Sequence, residues 1–370
     1  MRLAIVGAGA IARATAAVAA SEGHAVALWS PTGRGTAGLL REAQAAGGGA
    51  RRGRLSYEGA LTGVADIGVI REPRELADAE AVVIALPGDA YSAVLPRVLP
   101  HLHGAQTVIV SGALSLVPLW LHERLRATGS APVIAAWGTT LSTARLGTDR
   151  DHGRVQINTI RSQFEVAAIP AAAGEAALAT CRALFGDRFR LVGNLLETAL
   201  SNINPEAHAA EVLPNLSRID KREPWMLFDC LTDSGSRLLE AMDLERLAVA
   251  RAFGLTVRSV QQHYHLSYHV PLGSIAEIAA AIHARYQGPP GPTTLDHRYV
   301  REDVPFGLAF FEALARVAGV ATPLTSASVT LLSAACGQDL RAANPLLADL
   351  AIDGVTPAAL LARCRGEAHG

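Results

Sequence analysis

The sequence opens Met1-Arg-Leu3-Ala-Ile-Val6-Gly7-Ala-Gly9-Ala10-Ile11-Ala12, where a short apolar run meets a glycine turn and then an alanine-rich segment. Leu3 to Val6 reads as a buried strand, and Ile11 to Ser21 as a helix that Gly23 stops. Between them stands G-x-G-x-x-A. The first glycine permits a tight turn, the second lets backbone approach a pyrophosphate, and the small residue at 12 lets helix pack on strand. The helix N-terminus adds attraction for an anion. The motif alone is weak evidence, but here its context is right: strand before, helix after, and a second strand ending about 20 residues on. Gly7, Gly9, Ala10, Ile11 and Ala12 are therefore candidate cofactor contacts. The bland alternative is an Ala/Gly-rich turn with no ligand.

Outward from that turn, apolar runs recur at Ala25–Trp29, Ile67–Ile70, Ala81–Leu86, Thr107–Val110 and Val133–Trp137. They are continuous rather than alternating, as in parallel strands covered on both faces. Strand, helix, strand in this rhythm predicts a doubly wound Rossmann domain. Beyond residue 190 the rhythm stops. Residues 235–256, 274–286, 306–318 and 325–365 carry helical spacing, and QGPPGPTT, Gln287 to Thr294, is the strongest punctuation. The expected class is α/β: an NAD(P)-binding Rossmann domain over residues 1–190, then an all-helical substrate and catalytic domain over 191–370. Pro87, just past the fourth strand, joins the candidate cofactor contacts. Gly47 to Arg54, GGGARRGR, reads as a solvated loop.

The end of the second strand bears on the choice of nucleotide. An NAD enzyme usually places a carboxylate there for the ribose 2′-hydroxyl. This chain has Ser30-Pro31-Thr32-Gly33-Arg34. No carboxylate repels a 2′-phosphate, and Ser30, Thr32 and the Arg34 guanidinium are available to bind one. The turn favours NADP; an exposed turn that accepts NAD as well is the alternative.

Composition excludes several classes. Of 370 residues half are hydrophobic and 18% charged, with a formal charge of −1. That is not a disordered chain, and it carries no basic footprint for nucleic acid or polybasic patch for a membrane. No uninterrupted apolar run of about 18 residues suggests a membrane span. The four cysteines, 181, 230, 336 and 364, have no metal-site spacing. Reduced thiols and a cytoplasmic location are the simplest expectation. His263, His265 and His269 do not share one element face, so no metal is expected there.

Two later stretches carry candidate chemistry. Asn204-Pro-Glu-Ala-His208 puts Asn204 and His208 four apart, on one face if helical. His297-Arg298-Tyr-Val-Arg-Glu-Asp303-Val-Pro-Phe-Gly-Leu308 follows downstream. Taken alone, Asn204 could be a helix cap, His208 a core or surface histidine, Arg298 a surface charge and Asp303 a helix-start residue. Chemistry alone does not link 208 to 298 and 303.

Together, however, these pieces resemble the opine dehydrogenases of the octopine/nopaline group. The resemblance includes G-x-G-x-x-A, Asn-x-x-x-His, MDLERLAVARAFG (Met242 to Gly254), RYVREDVPFGL (Arg298 to Leu308) and GVATP (Gly319 to Pro323), in that order. It implies a Rossmann domain followed by a helical one. By residue it implies that His208 polarises the substrate carbonyl and handles the proton, Arg298 clamps a carboxylate, Asp303 partners the histidine and Asn204 stands one turn before it. The implied reaction joins an amino acid to a 2-oxo acid through an imine, which NAD(P)H reduces to an N-(carboxyalkyl)amino acid, or the reverse. The small-molecule partners are thus an amino acid and a 2-oxo acid. A plain ketone reductase of the ketopantoate type and a silent NADP-binding sensor are the alternatives. A homodimer through the helical domain is compatible with this reading, though no residue pattern shows it.

Overall fold

The computed structural model describes residues 1–47, 51–147 and 153–367. The chain divides into two compact units, Met1–Thr198 with Ala362–Gly370, and Ala199–Leu361.

In the first unit the described residues form one sheet. Its strands are β1 (Arg2–Val6), β2 (Ala25–Trp29), β3 (Arg52–Gly59), β4 (Gly63–Ile70), β5 (Ala81–Ile84), β6 (Thr107–Val110), β7 (Val133–Trp137), β8 (Ser142–Arg145), β9 (Arg154–Ile160), β10 (Phe164–Ile169) and β11 (Phe189–Leu191). The order is β11-β10-β7-β6-β5-β1-β2-β4-β3-β9-β8. The six expected strands are the parallel centre, β7-β6-β5-β1-β2-β4. β1 has β5 on one side and β2 on the other. The glycine turn at its carboxyl end therefore sits where the winding reverses, the usual ligand position in open α/β sheets.

Five strands were not anticipated. β3 and β9 alternate between buried and open positions, and β3 runs antiparallel to β4. Such half-open strands lack the continuous apolar run of a doubly covered one. The loop expected over Gly47 to Arg54 is corrected from Arg52 onward, where β3 begins; residues 48–50 lie outside the described residues. β10 is antiparallel to β7 and buries Glu165, whose carboxylate accepts from Arg190 at 3.0 Å.

The two units meet a few residues beyond position 190. The division falls after Thr198, and the chain end returns to the first unit. There Arg363 makes a two-pronged ion pair with Glu123, at 3.0 and 3.2 Å, and Cys364 is fully buried.

Trp137 is the hub of an aromatic cluster in this unit. Its ring lies 5.5 Å from Phe164, 5.2 Å from Phe185 and 5.4 Å from Phe189. Its indole N–H donates to Cys181 Sγ at 3.4 Å. Burial pushes the Cys181 thiol up to about 12 against that bond, so the sulfur is a packing atom rather than a nucleophile.

The second unit holds only helices among its described elements. Asn204–Val212 is buried along almost its whole length. Its neighbour is a turn of π-helix, Val304–Leu308, which Pro305 enters and Asn344 supports by donating to the Pro305 carbonyl at 3.0 Å. The two interlock closely: a Cβ at Gly307 would collide with the Pro205 ring. Arg246, on Asp233–Ala252, is buried between Glu206 and Asp243 and also donates to the carbonyls of Leu200 and Arg258. Two acids share one cation. Burial pushes the Glu206 carboxyl up to about 8 against the pull of Arg246, and the Asp243 charge adds to the rise.

Replacing Trp137 by Ala should cost about 3–5 kcal/mol, the usual loss for emptying a large aromatic site. Urea unfolding of the two proteins measures it; a difference under 1 kcal/mol would remove Trp137 from the core's support.

Candidate functional site

The first unit carries the nucleotide-type turn. Gly7 has φ +122°, and a Cβ there would strike the Ala85 carbonyl oxygen. Only glycine fits so close an approach to the end of β5. Gly9 precedes the helix Ala10–Ser21 and faces open space where a Cβ would be. Ala12 is fully buried. The first turn of this helix carries no acid, so its N-terminal field is uncompensated.

The second turn is tied to the first. Gly33, in a left-handed conformation, precedes the helix Arg34–Ala45. Ser30 Oγ accepts from Gly35 N at 3.2 Å, and Thr32 Oγ1 from Arg34 N at 3.4 Å. Both hydroxyls thus shape the turn, while the Arg34 side chain is exposed. Pro87 precedes the short helical turn Gly88–Ala90 just after β5.

Two arginines here escaped sequence reasoning. Arg13 is 1% exposed. Its guanidinium donates to the carbonyls of Ala8 (3.1 Å), Gly35 (2.9 Å) and Arg154 (3.0 Å), joining the glycine turn, the helix Arg34–Ala45 and β9. Arg97 lies 5.0 Å over the Trp29 ring and donates to the Pro31 carbonyl at 3.2 Å. It adds a second cation beside the Ser30–Arg34 turn. A lone arginine inside an alanine-rich helix gives no signal of such a role.

The second unit brings His208, Arg298 and Asp303 into one cluster. His208 Nδ1 donates to Asp303 Oδ2 at 2.7 Å, since an ionised carboxylate only accepts. Nε2 is left with no hydrogen-bond partner among the described residues. The imidazole stacks on Tyr299 at 3.5 Å between centroids and 14° between planes. Arg298 lies 5.0 Å over the same Tyr299 ring and 4.0 Å from Glu302, with its side chain 56% exposed. Asn204 is the first residue of the histidine's helix, four positions before it, and its N–H donates to Asn202 Oδ1 at 3.1 Å. Asn204 is thus the first helical residue and not the cap, a position that Ile203 takes.

Burial lowers the His208 pKa; the adjacent Asp303 opposes that shift, and Arg298 adds to it. The same burial, with Arg298 and His208, holds His297 down to about 4. The resting imidazole is therefore neutral near pH 7, with its proton on Nδ1 and a lone pair on Nε2. Tyr299 was not anticipated, although it sits between two residues that were.

Among the described residues no three His, Cys, Asp or Glu side chains group as a metal site. The four cysteines are free. No described helix is long and apolar enough to cross a membrane.

Comparison with known proteins follows the same lines. Residues 191–336 match the family described as NAD/NADP octopine/nopaline dehydrogenase, alpha-helical domain. An opine dehydrogenase of Arthrobacter sp. (strain 1C) is 30% identical over 362 residues, covering 96% of this chain and 97% of that protein. Octopine dehydrogenase in complex with NADH and L-arginine superposes with a TM-score of 0.78 at 18% identity, covering 100% and 99% of the two chains. NADP+-bound yersinopine dehydrogenase gives a TM-score of 0.69 at 16% identity, covering 97% and 95%.

Asp303→Asn should lower the His208 pKa further, by about one unit or more, because the charge that opposes burial is gone. Imidazole proton resonances followed against pH give the value. An unchanged titration would mean that the 2.7 Å contact carries no electrostatic weight.

Proposed function

Because the chain belongs to the opine dehydrogenase family, an NAD(P)-dependent oxidoreductase family, we propose that it joins an amino acid to a 2-oxo acid by reductive condensation and catalyses the reverse oxidation. The observation that carries the reading is the His208–Asp303 hydrogen bond at 2.7 Å with the exposed Arg298 guanidinium beside it.

The residues fit a dinucleotide: the open space at Gly9, the close approach at Gly7 and the uncompensated helix start suit a pyrophosphate held by Gly9, Ala10 and Ile11. When bound, the nicotinamide supplies the hydride. Ser30, Thr32 and Arg34 would hold the ribose end, with Pro87 bordering the nucleotide, and the absence of a carboxylate at that turn supports NADP over NAD.

Condensation of amine and oxo acid releases water and leaves an imine. Its reduction places a hydride on carbon and consumes one proton at nitrogen. His208 Nε2, in the imidazolium form, donates that proton, and in the oxidation it takes it back. Asp303 fixes the ring by its Nδ1–H and stabilises the imidazolium. Arg298 suits the 2-oxo acid carboxylate by its planar fork. Asn204, one turn before His208, is placed to orient the polar substrate beside it. The same reading puts the enzyme in the cytoplasm, which the four free thiols support. Light scattering decides whether two copies pair.

The decisive assay follows reduced nicotinamide absorbance with pooled 2-oxo acids, with and without pooled amino acids. Oxidation of NADPH that needs both pools is expected. Oxidation by the oxo acids alone would make the protein a carbonyl reductase and overturn the condensation. Arg34→Ala should weaken NADPH by about tenfold or more, since a charge-assisted hydrogen bond contributes about 1.5–3 kcal/mol, and leave NADH nearly unaffected. Equal losses for both nucleotides would withdraw the 2′-phosphate from Arg34.

A further inference from the structure

The helix Tyr91–Val98 follows β5, and β5 and β2 lie on the two sides of β1. From the last turn of that helix Arg97 reaches the turn after β2, and the nucleotide reading above gives it no part. Its guanidinium lies 5.0 Å over the Trp29 ring and donates through Nη1 to the Pro31 carbonyl at 3.2 Å. Trp29 closes β2 and is 1% exposed, so the ring is a fixed floor. A long side chain loses rotamer freedom when it is held in this way. Arg97 is held although it is exposed, and its Nε and Nη2 have no hydrogen-bond partner among the described residues.

Neither contact neutralises the charge. Among the described residues no carboxylate pairs with Arg97 or with Arg34, and the helix Arg34–Ala45 has no acid in its first turn. Other exposed arginines of this unit do meet acids, Arg51 with Glu75 at 2.9 Å and Arg182 with Asp187 at 2.7 Å. Two guanidinia on one turn repel each other. A clasp that only tied helix to turn would need no charge, since a neutral amide can donate to a carbonyl equally well. An unneutralised pair of planar forks suits a phosphate dianion, which offers three strong acceptor oxygens.

We propose that Arg97 and Arg34 form a two-arginine clamp for the 2′-phosphate of NADP, with Arg97 the member that Trp29 and Pro31 hold ready. Arg97 is then a specificity-determining residue: a ribose 2′-hydroxyl is neutral, whereas a 2′-phosphate brings charge for both guanidinia to meet. A donor already fixed in place gives up little further freedom when the phosphate binds, so more of the attraction appears as affinity. The inference rests on the NADP reading of the Ser30–Arg34 turn and adds a residue from a different element to it.

The test is calorimetric binding, to the full chain, of adenosine 2′,5′-bisphosphate and adenosine 5′-monophosphate, which differ by the 2′-phosphate alone. In Arg97→Gln the affinity for the bisphosphate should fall by about tenfold or more, the loss expected with one charge-assisted hydrogen bond. Affinity for the monophosphate should stay as it was, which also shows that the turn is still folded. Equal losses for both ligands would make Arg97 a shelf for adenine or a support of the turn. An unchanged bisphosphate affinity would make it a clasp between helix and turn. Either result overturns the proposal. Arg34→Ala keeps the two readings apart. If the unaltered protein binds both ligands alike, the NADP reading fails and this inference with it. If it favours the bisphosphate, and Arg34→Ala abolishes that preference while Arg97→Gln keeps it, the NADP reading stands and this inference alone fails.

Discussion

Taking an imidazole out of water disfavours its charged form. Asp303 opposes that cost at His208, and it does so only from hydrogen-bond distance. Ninety-five residues of chain separate the pair, so their contact depends on how two segments pack. Pro205 and Gly307 fix that packing. The proline ring occupies the space a side chain at 307 would need, and the π-turn that begins after Asp303 is held by Asn344. Such turns often occur where a helix must re-aim a side chain at a functional position. Here it sets the carboxylate against Nδ1 and leaves Nε2 free.

In the first unit a buried cation does comparable positioning with backbone. Arg13 gathers three carbonyls from the glycine turn, the helix Arg34–Ala45 and β9. A guanidinium has a rigid fork of donors, so it can hold several acceptors in one geometry where a lysine could not. The edge strand β9 is thereby coupled to the turn at the end of β1. The extension β3-β9-β8 consequently supports the glycine turn as well as lengthening the sheet.

Much of this was legible in the sequence, for a physical reason. The six central strands are covered on both faces and so read as uninterrupted apolar runs. β3 and β9 are half open, and alternation over so few residues looks like loop. The glycine turn was legible because its glycines answer to local geometry. The His208–Asp303 pair was not. Each residue had a sufficient local explanation, and only the resemblance joined them. Gly307 and Pro205 show what was missing: neither is unusual alone, and their meaning lies in a contact between distant segments. Arg13, Tyr299 and Glu211 were overlooked for the same reason, because burial of a polar side chain is a tertiary fact.

Buried charges in the second unit also differ from one another in kind. Arg246 meets Glu206 and Asp243 and takes two backbone carbonyls, while Asp243 also accepts from Val260 N at 3.0 Å. That group ties helices together, and hydrophobic residues of matched volume could often replace such a network without loss of stability. The cluster one turn away is built otherwise. His208 keeps one ring nitrogen unbonded, Arg298 keeps most of its side chain in solvent, and Glu211 has two oxygens without partners. A fold selected for stability alone would satisfy these groups or remove them.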